Sequence, residues 1–105
     1  MIVSAWKDQK PDSRRRPTYG IRIGKENRDR YFGEVQDMVA VELPTGRVLD
    51  VNVLKGFRNH CPELRDEGFR DWFSTIGKLD WEKRKPPKFD LTPTGLARFR
   101  LQAIH

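Results

Sequence analysis

The sequence predicts a mostly β, α+β domain built on an open, barrel-like antiparallel sheet. Three observations predict it: short alternating apolar runs recur along the chain, turn-forming Pro and Gly separate them, and only two stretches carry helical spacing. A chain of 105 residues suffices for one core and is too short for two, since a domain near this size buries about two thirds of its unfolded surface. Its 36% hydrophobic and 34% charged residues, with three Trp and six Phe, are globular in character, because buried aromatics offset the entropy of ordering the chain.

Residues 1–17 are expected to form a basic N-terminal arm and residues 18–105 a single domain. Its flexible stretch is expected at Lys7 to Pro17, where Lys10-Pro11-Asp12-Ser13-Arg14-Arg15-Arg16-Pro17 contains two prolines and three successive arginines. From Thr18 to Gly24, Tyr19, Ile21 and Ile23 alternate with Arg22 on the opposite face, the period of a half-buried strand. Lys25 to Phe32 reads as one or two helical turns closed by Gly33.

Met38 to Leu43 and Val48 to Leu54 form a hairpin around Pro44-Thr45-Gly46-Arg47. A longer helix is expected from Pro62, a suitable first helical residue, with Glu63, Asp66 and Glu67 at its positive end. Its apolar face is Phe69, Trp72, Phe73 and Ile76, at i, i+3, i+4 and i+7, and Gly77 stops it. Lys78 to Lys88 is a loop holding Trp81 and the basic run from Lys83. Two closing strands, Phe89 to Thr92 and Leu96 to Gln102, flank a turn at Pro93-Thr94-Gly95, with Phe99 and Leu101 opposite Arg98 and Arg100.

Cys61 is the single cysteine, so no internal disulfide forms, and zinc would have to use Cys61, His60, His105 and carboxylates. Neither a signal-peptide core nor a stretch of membrane-spanning length occurs, so the expected compartment is a reducing cytoplasm. Catalysis finds little support: Cys61 has only its chain neighbour His60 as a base, and neighbours rarely present side chains productively to each other. The carboxylates Glu63, Asp66, Glu67 and Asp71 could gather a metal, but they are explained more simply by a helix dipole and a partner arginine for Asp71. Gly20, Gly24 and Gly33 lack phosphate-loop spacing. No catalytic residue, metal or cofactor is therefore expected.

Charge is the more informative signal. The net charge is +6, and it divides unevenly: nine Lys/Arg against four Asp/Glu in residues 1–33 (+5), five against eight in 34–76 (−3), seven against three in 77–105 (+4). Clustered basic charge attracts polyanions through counterion release. Arg14, Arg15, Arg16, Tyr19, Arg22 and Lys25 could follow a phosphate backbone and send guanidinium forks to guanine edges, the alternative being a solvated arm. Lys55-Gly56-Phe57-Arg58-Asn59-His60 is a second candidate: Gly56 permits close approach, and Arg58 and Asn59 match guanine and adenine. Asn59 and His60 could equally cap the helix expected at Pro62.

The segment Ile21-Arg22-Ile23-Gly24-Lys25-Glu26-Asn27-Arg28-Asp29-Arg30-Tyr31-Phe32 resembles the start of the plant-type B-three DNA-binding domain. The hairpin Gly46-Arg47-Val48-Leu49-Asp50-Val51 and the loop Phe57-Arg58-Asn59 follow in that family's order. The resemblance covers Thr18 to Leu101. Gly24 stands where plant members have Pro, and Phe69, Trp72, Phe73 and the Trp81 loop replace their later Gly-Trp…Phe…Gly-Asp signature. The chain is more similar to the prokaryotic branch, which includes recognition domains of restriction endonucleases.

The resemblance implies a pseudobarrel of about seven strands and two short helices that grips the DNA major groove between two arms, here Arg14 to Lys25 and Lys55 to His60. The expected function is non-catalytic, sequence-specific recognition of double-stranded DNA by a monomer, as a restriction or regulatory specificity module that could work with a nuclease. The rivals are an RNA or single-strand binder, stacking bases on Tyr19, Phe57 or Trp81, and a protein-interaction accessory factor.

Overall fold

The computed structural model describes residues 1–8, 17–33, 37–53, 57 and 62–104. The alternating segments become seven strands: β1 (Ile2–Lys7), β2 (Tyr19–Arg22), β3 (Met38–Glu42), β4 (Val48–Asn52), β5 (Glu63–Arg65), β6 (Lys88–Gly95) and β7 (Arg98–Ala103). Among the described residues two short helices, α1 (Lys25–Tyr31) and α2 (Glu67–Thr75), accompany the strands in an α+β domain. All seven strands join one sheet in the order β4-β3-β7-β6-β1-β2-β5. The sheet curls until its edge strands β4 and β5 approach each other, with no ladder between them among the described residues, so the barrel is open.

Period-two burial sets the inside of that barrel. Val3, Ala5, Ile21, Val39, Val41, Leu49, Val51, Leu64, Leu91 and Leu101 point inward, while Arg22, Arg98 and Arg100 point outward. Helix α2 turns Phe69, Trp72 and Phe73 into the interior, where Phe73 stacks on Phe89 at 5.7 Å and meets the Tyr19 ring edge-on at 6.0 Å. Phe32, just past α1, stacks on Phe99 at 4.5 Å.

The structure corrects several expectations. Residues 2–7 belong to the sheet: β1 lies between β6 and β2, with Val3 and Ala5 in the core, so the N-terminal segment is no arm up to Lys7. One strand pair is parallel, β3 with β7, because the two hairpins that cover the core dock through strands running the same way.

Pro62 does not open a helix. Its carbonyl accepts from the Ile23 amide at 2.8 Å and extends the β2–β5 pairing, and the helix begins after Asp66, whose carboxylate accepts from the Gly68 amide at 2.8 Å. At the other end of α2, Ile76 is 36% exposed and leaves the apolar face. The closing turn falls at Leu96 and Ala97, with Ala97 at φ 52°, because β6 continues through Pro93 to Gly95 past an irregularity in register. The hairpin at Pro44 to Arg47 forms as expected, with Gly46 at φ 93°.

Asp90, on the outer face of β6, accepts from the Thr92 hydroxyl at 2.7 Å; that bond holds its carboxyl below the usual aspartate range, against the opposing effect of burial and with help from the Met1 ammonium. No described helix is long and apolar enough to cross a membrane.

Candidate nucleic-acid interface

Strands β1, β2 and β5 are neighbours, and their registers place outward-facing residues in two rows. Trp6 pairs with Gly20 and Gly20 with Arg65; Ser4 pairs with Arg22 and Arg22 with Glu63. The first row works because its middle member has no side chain: the Arg65 guanidinium carbon lies 4.5 Å from the Trp6 ring centre across Gly20. In the second row, Arg22 donates to Glu63 Oε1 at 3.2 Å. The Glu63 side chain is 2% exposed and that of Arg22 57%, so a buried carboxylate anchors a guanidinium that still reaches solvent. Glu63 Oε2 is buried without a hydrogen-bond partner among the described residues.

The loop after α2 forms a wall beside these rows. Tyr19 donates its hydroxyl to the Leu79 carbonyl at 3.0 Å, and Lys7 donates to Asp80 Oδ1 at 3.0 Å while lying 4.5 Å from the Trp81 ring centre. Between this wall and the outer face of β1–β2 runs a groove of about 790 Å³, lined by Trp6, Arg22, Trp81, Lys83 and Arg84 among others. Arg84 stands in the left-handed backbone region at φ 66°. Lys83 and Arg84 are exposed, and neither forms an ion pair among the described residues.

The expected site residues separate into three groups. Arg22 lies in the groove, and Lys25 is exposed at the start of α1, beyond the Arg22 end of β2. Tyr19 and Phe57 are core residues, 7% and 2% exposed; Tyr19 still reaches the lining of the groove at its edge, whereas Phe57 does not line it. Tyr19 packs edge-on against Phe73, and Phe57 packs on Phe32 at 5.3 Å. Arg14, Arg15, Arg16, Lys55, Arg58, Asn59 and His60 lie outside the described residues, as do Cys61 and His105.

The flanks of those segments are described. The chain leaves β1 at Asp8 and returns at Pro17, at the Lys7–Tyr19 end of the rows; it enters β5 at Glu63, at the Arg22 end. The two basic segments thus join the β1–β2–β5 patch from opposite ends.

Sequence reasoning missed Trp6 and Arg65. The alternation of Val3 and Ala5 carried the signal for Trp6, while Arg65 was hidden by the helix expected from Pro62. Of the acidic cluster, Glu63 holds Arg22, Asp66 caps α2, and Asp71 accepts from Arg47 at 3.1 Å. Among the described residues no group of three His, Cys, Asp or Glu could hold a metal ion.

Gly20 supports the patch from beneath. A Cβ there would overlap the Leu64 carbonyl oxygen of β5, so Gly20→Ala must push two backbones apart. The expected loss is about 1–3 kcal/mol of unfolding free energy, read by urea denaturation. A variant as stable as the parent would show that β5 yields without consequence.

Comparison of the chain with protein-family models, with curated proteins and with solved structures gave no match.

Proposed function

We propose that the chain is a non-catalytic recognition domain for double-stranded DNA, of the B-three type, serving as a restriction or regulatory specificity module. The observation that carries this reading is the β1–β2–β5 patch: Arg22 and Arg65 stand in ordered positions on a sheet face that two basic segments join from opposite ends. Arg22, with one edge held by Glu63, is restricted enough to present its remaining donors to a base edge in the major groove. Arg14 to Arg16, Lys83 and Arg84 supply phosphate contacts, and Arg58 and Asn59 further base contacts.

The structure raises the weight of the 83–88 run, because Lys83 and Arg84 line the same groove as Arg22. For the single-strand reading it leaves Trp81 as the partly exposed ring, since Phe57 is buried in the core.

Filter binding of a duplex pool at several salt concentrations tests the proposal. Affinity should fall steeply with salt, and the double variant Lys83→Ala/Arg84→Ala should weaken all duplexes alike and reduce the salt slope by about two. Absent low-salt binding, or a flat salt response, would overturn the reading.

A further inference from the structure

Resting on the duplex-DNA reading, we propose that the groove between β1–β2 and the Trp81 loop takes one nucleotide extruded from the bound duplex. Its base would lie among Trp6 and Trp81, and its phosphate at Lys83 and Arg84.

Size comes first. About 790 Å³ lies within the roughly 300–1,000 Å³ of sites that enclose small molecules. A nucleotide fits such a space, whereas a duplex, whose major groove alone is about 12 Å wide, can only lie over it.

Chemistry comes second. Trp6 and Trp81 are both partly exposed, although Trp6 sits on the outer face of a sheet whose core is filled from the other side. Arg65 lies over the Trp6 ring and Lys7 over the Trp81 ring, and the indole surface that still lines the groove beside Arg22, Lys83 and Arg84 suits a ligand that is at once planar, aromatic and anionic. Two carboxylates also line the groove: Asp80 is engaged by Lys7, and Asp8 has a partner of its own. Their negative charge opposes a phosphate beside them, which leaves the phosphate to Lys83 and Arg84 and the base to the indoles.

Backbone comes third. Arg84 holds a left-handed conformation that non-glycine residues seldom adopt, at the point where the loop passes the groove. Such outliers cluster at ligand clamps.

Extrusion must overcome stacking and pairing, and a duplex carrying a single-nucleotide bulge has already met that demand. The test is equilibrium binding of the full chain to two duplexes of about 20 base pairs, identical except for one bulged nucleotide, with the matching single strand as a third probe. The bulged duplex is expected to bind about tenfold tighter or better, and Trp81→Ala should reduce that advantage below about threefold. Arg84→Ala, at an exposed position, should do the same in part, and circular dichroism of both variants checks their fold.

Equal affinity for bulged and paired duplexes would overturn the extruded nucleotide while leaving duplex recognition standing. Binding to neither duplex would overturn the duplex reading itself. Tightest binding to the single strand would also overturn the duplex reading, and with it extrusion.

Discussion

Phe73→Ala should remove about 3–5 kcal/mol of unfolding free energy, the range for emptying a buried aromatic site. Phe73 is fully buried, and its ring meets those of Tyr19, Phe69, Trp72 and Phe89. These neighbours come from β2, α2 and β6, so the cavity would open where the helix plugs the sheet. A domain of this size has only about 5–15 kcal/mol in total, so the variant should unfold at a much lower urea concentration with its slope unchanged. The interface should suffer too. The Tyr19 ring that packs on Phe73 carries the hydroxyl bonded to Leu79, and Leu79 begins the wall of the groove. A loss below about 1 kcal/mol would mean that α2 does not depend on this ring.

Arg22→Ala should lower duplex affinity by tenfold or more, in line with about 1–3 kcal/mol for a bidentate guanine contact, and should flatten sequence preference. It should also destabilise the fold, because it leaves a carboxylate with a 2% exposed side chain without the guanidinium that holds it. Breaking a fully buried pair destabilises by about 3–5 kcal/mol. The Arg22 side chain is 57% exposed and water screens the pair from its side, so about 1–2 kcal/mol is expected here. The two effects separate in a double variant: Glu63→Gln added to Arg22→Ala should restore most of the stability and none of the binding. Recovery of binding together with stability would make Arg22 a structural residue and remove it from readout.

Much of the architecture follows from local rules. The alternation at Tyr19, Ile21 and Ile23, the hairpin around Gly46, and the helical spacing of Phe69, Trp72 and Phe73 all appear where the sequence predicts them. Strand β1 escapes those rules because one of its inward residues is Ala5, the other is Val3, and its largest side chain, Trp6, faces outward. Strand β5 escapes them because Pro62 and the acidic residues after it satisfy the chemistry of a helix start equally well. The pairing of residues 62–66 with β2, a segment far away in the chain, decides between strand and helix.

The candidate site was less readable than the fold. Arg22 is visible as the polar member of an apolar strand, whereas the sequence neighbours of Phe57 suggest a ligand contact for a ring that lies in the core. Aromatic type does not separate a stacking platform from a core residue; the face of the strand and the depth of the barrel do.

By itself the sequence determined which residues are inside each recognisable strand, where the hairpin turns, and that basic charge gathers toward the two ends of the chain, because burial period, turn chemistry and charge are local properties. The tertiary structure decided which strands are neighbours. Pairing β1 and β5 with β2 sets Trp6 beside Arg65 across Gly20 and Arg22 against Glu63, and it brings the Lys83–Arg84 loop to the same groove. No local pattern encodes those meetings, since they depend on how seven short strands share one core.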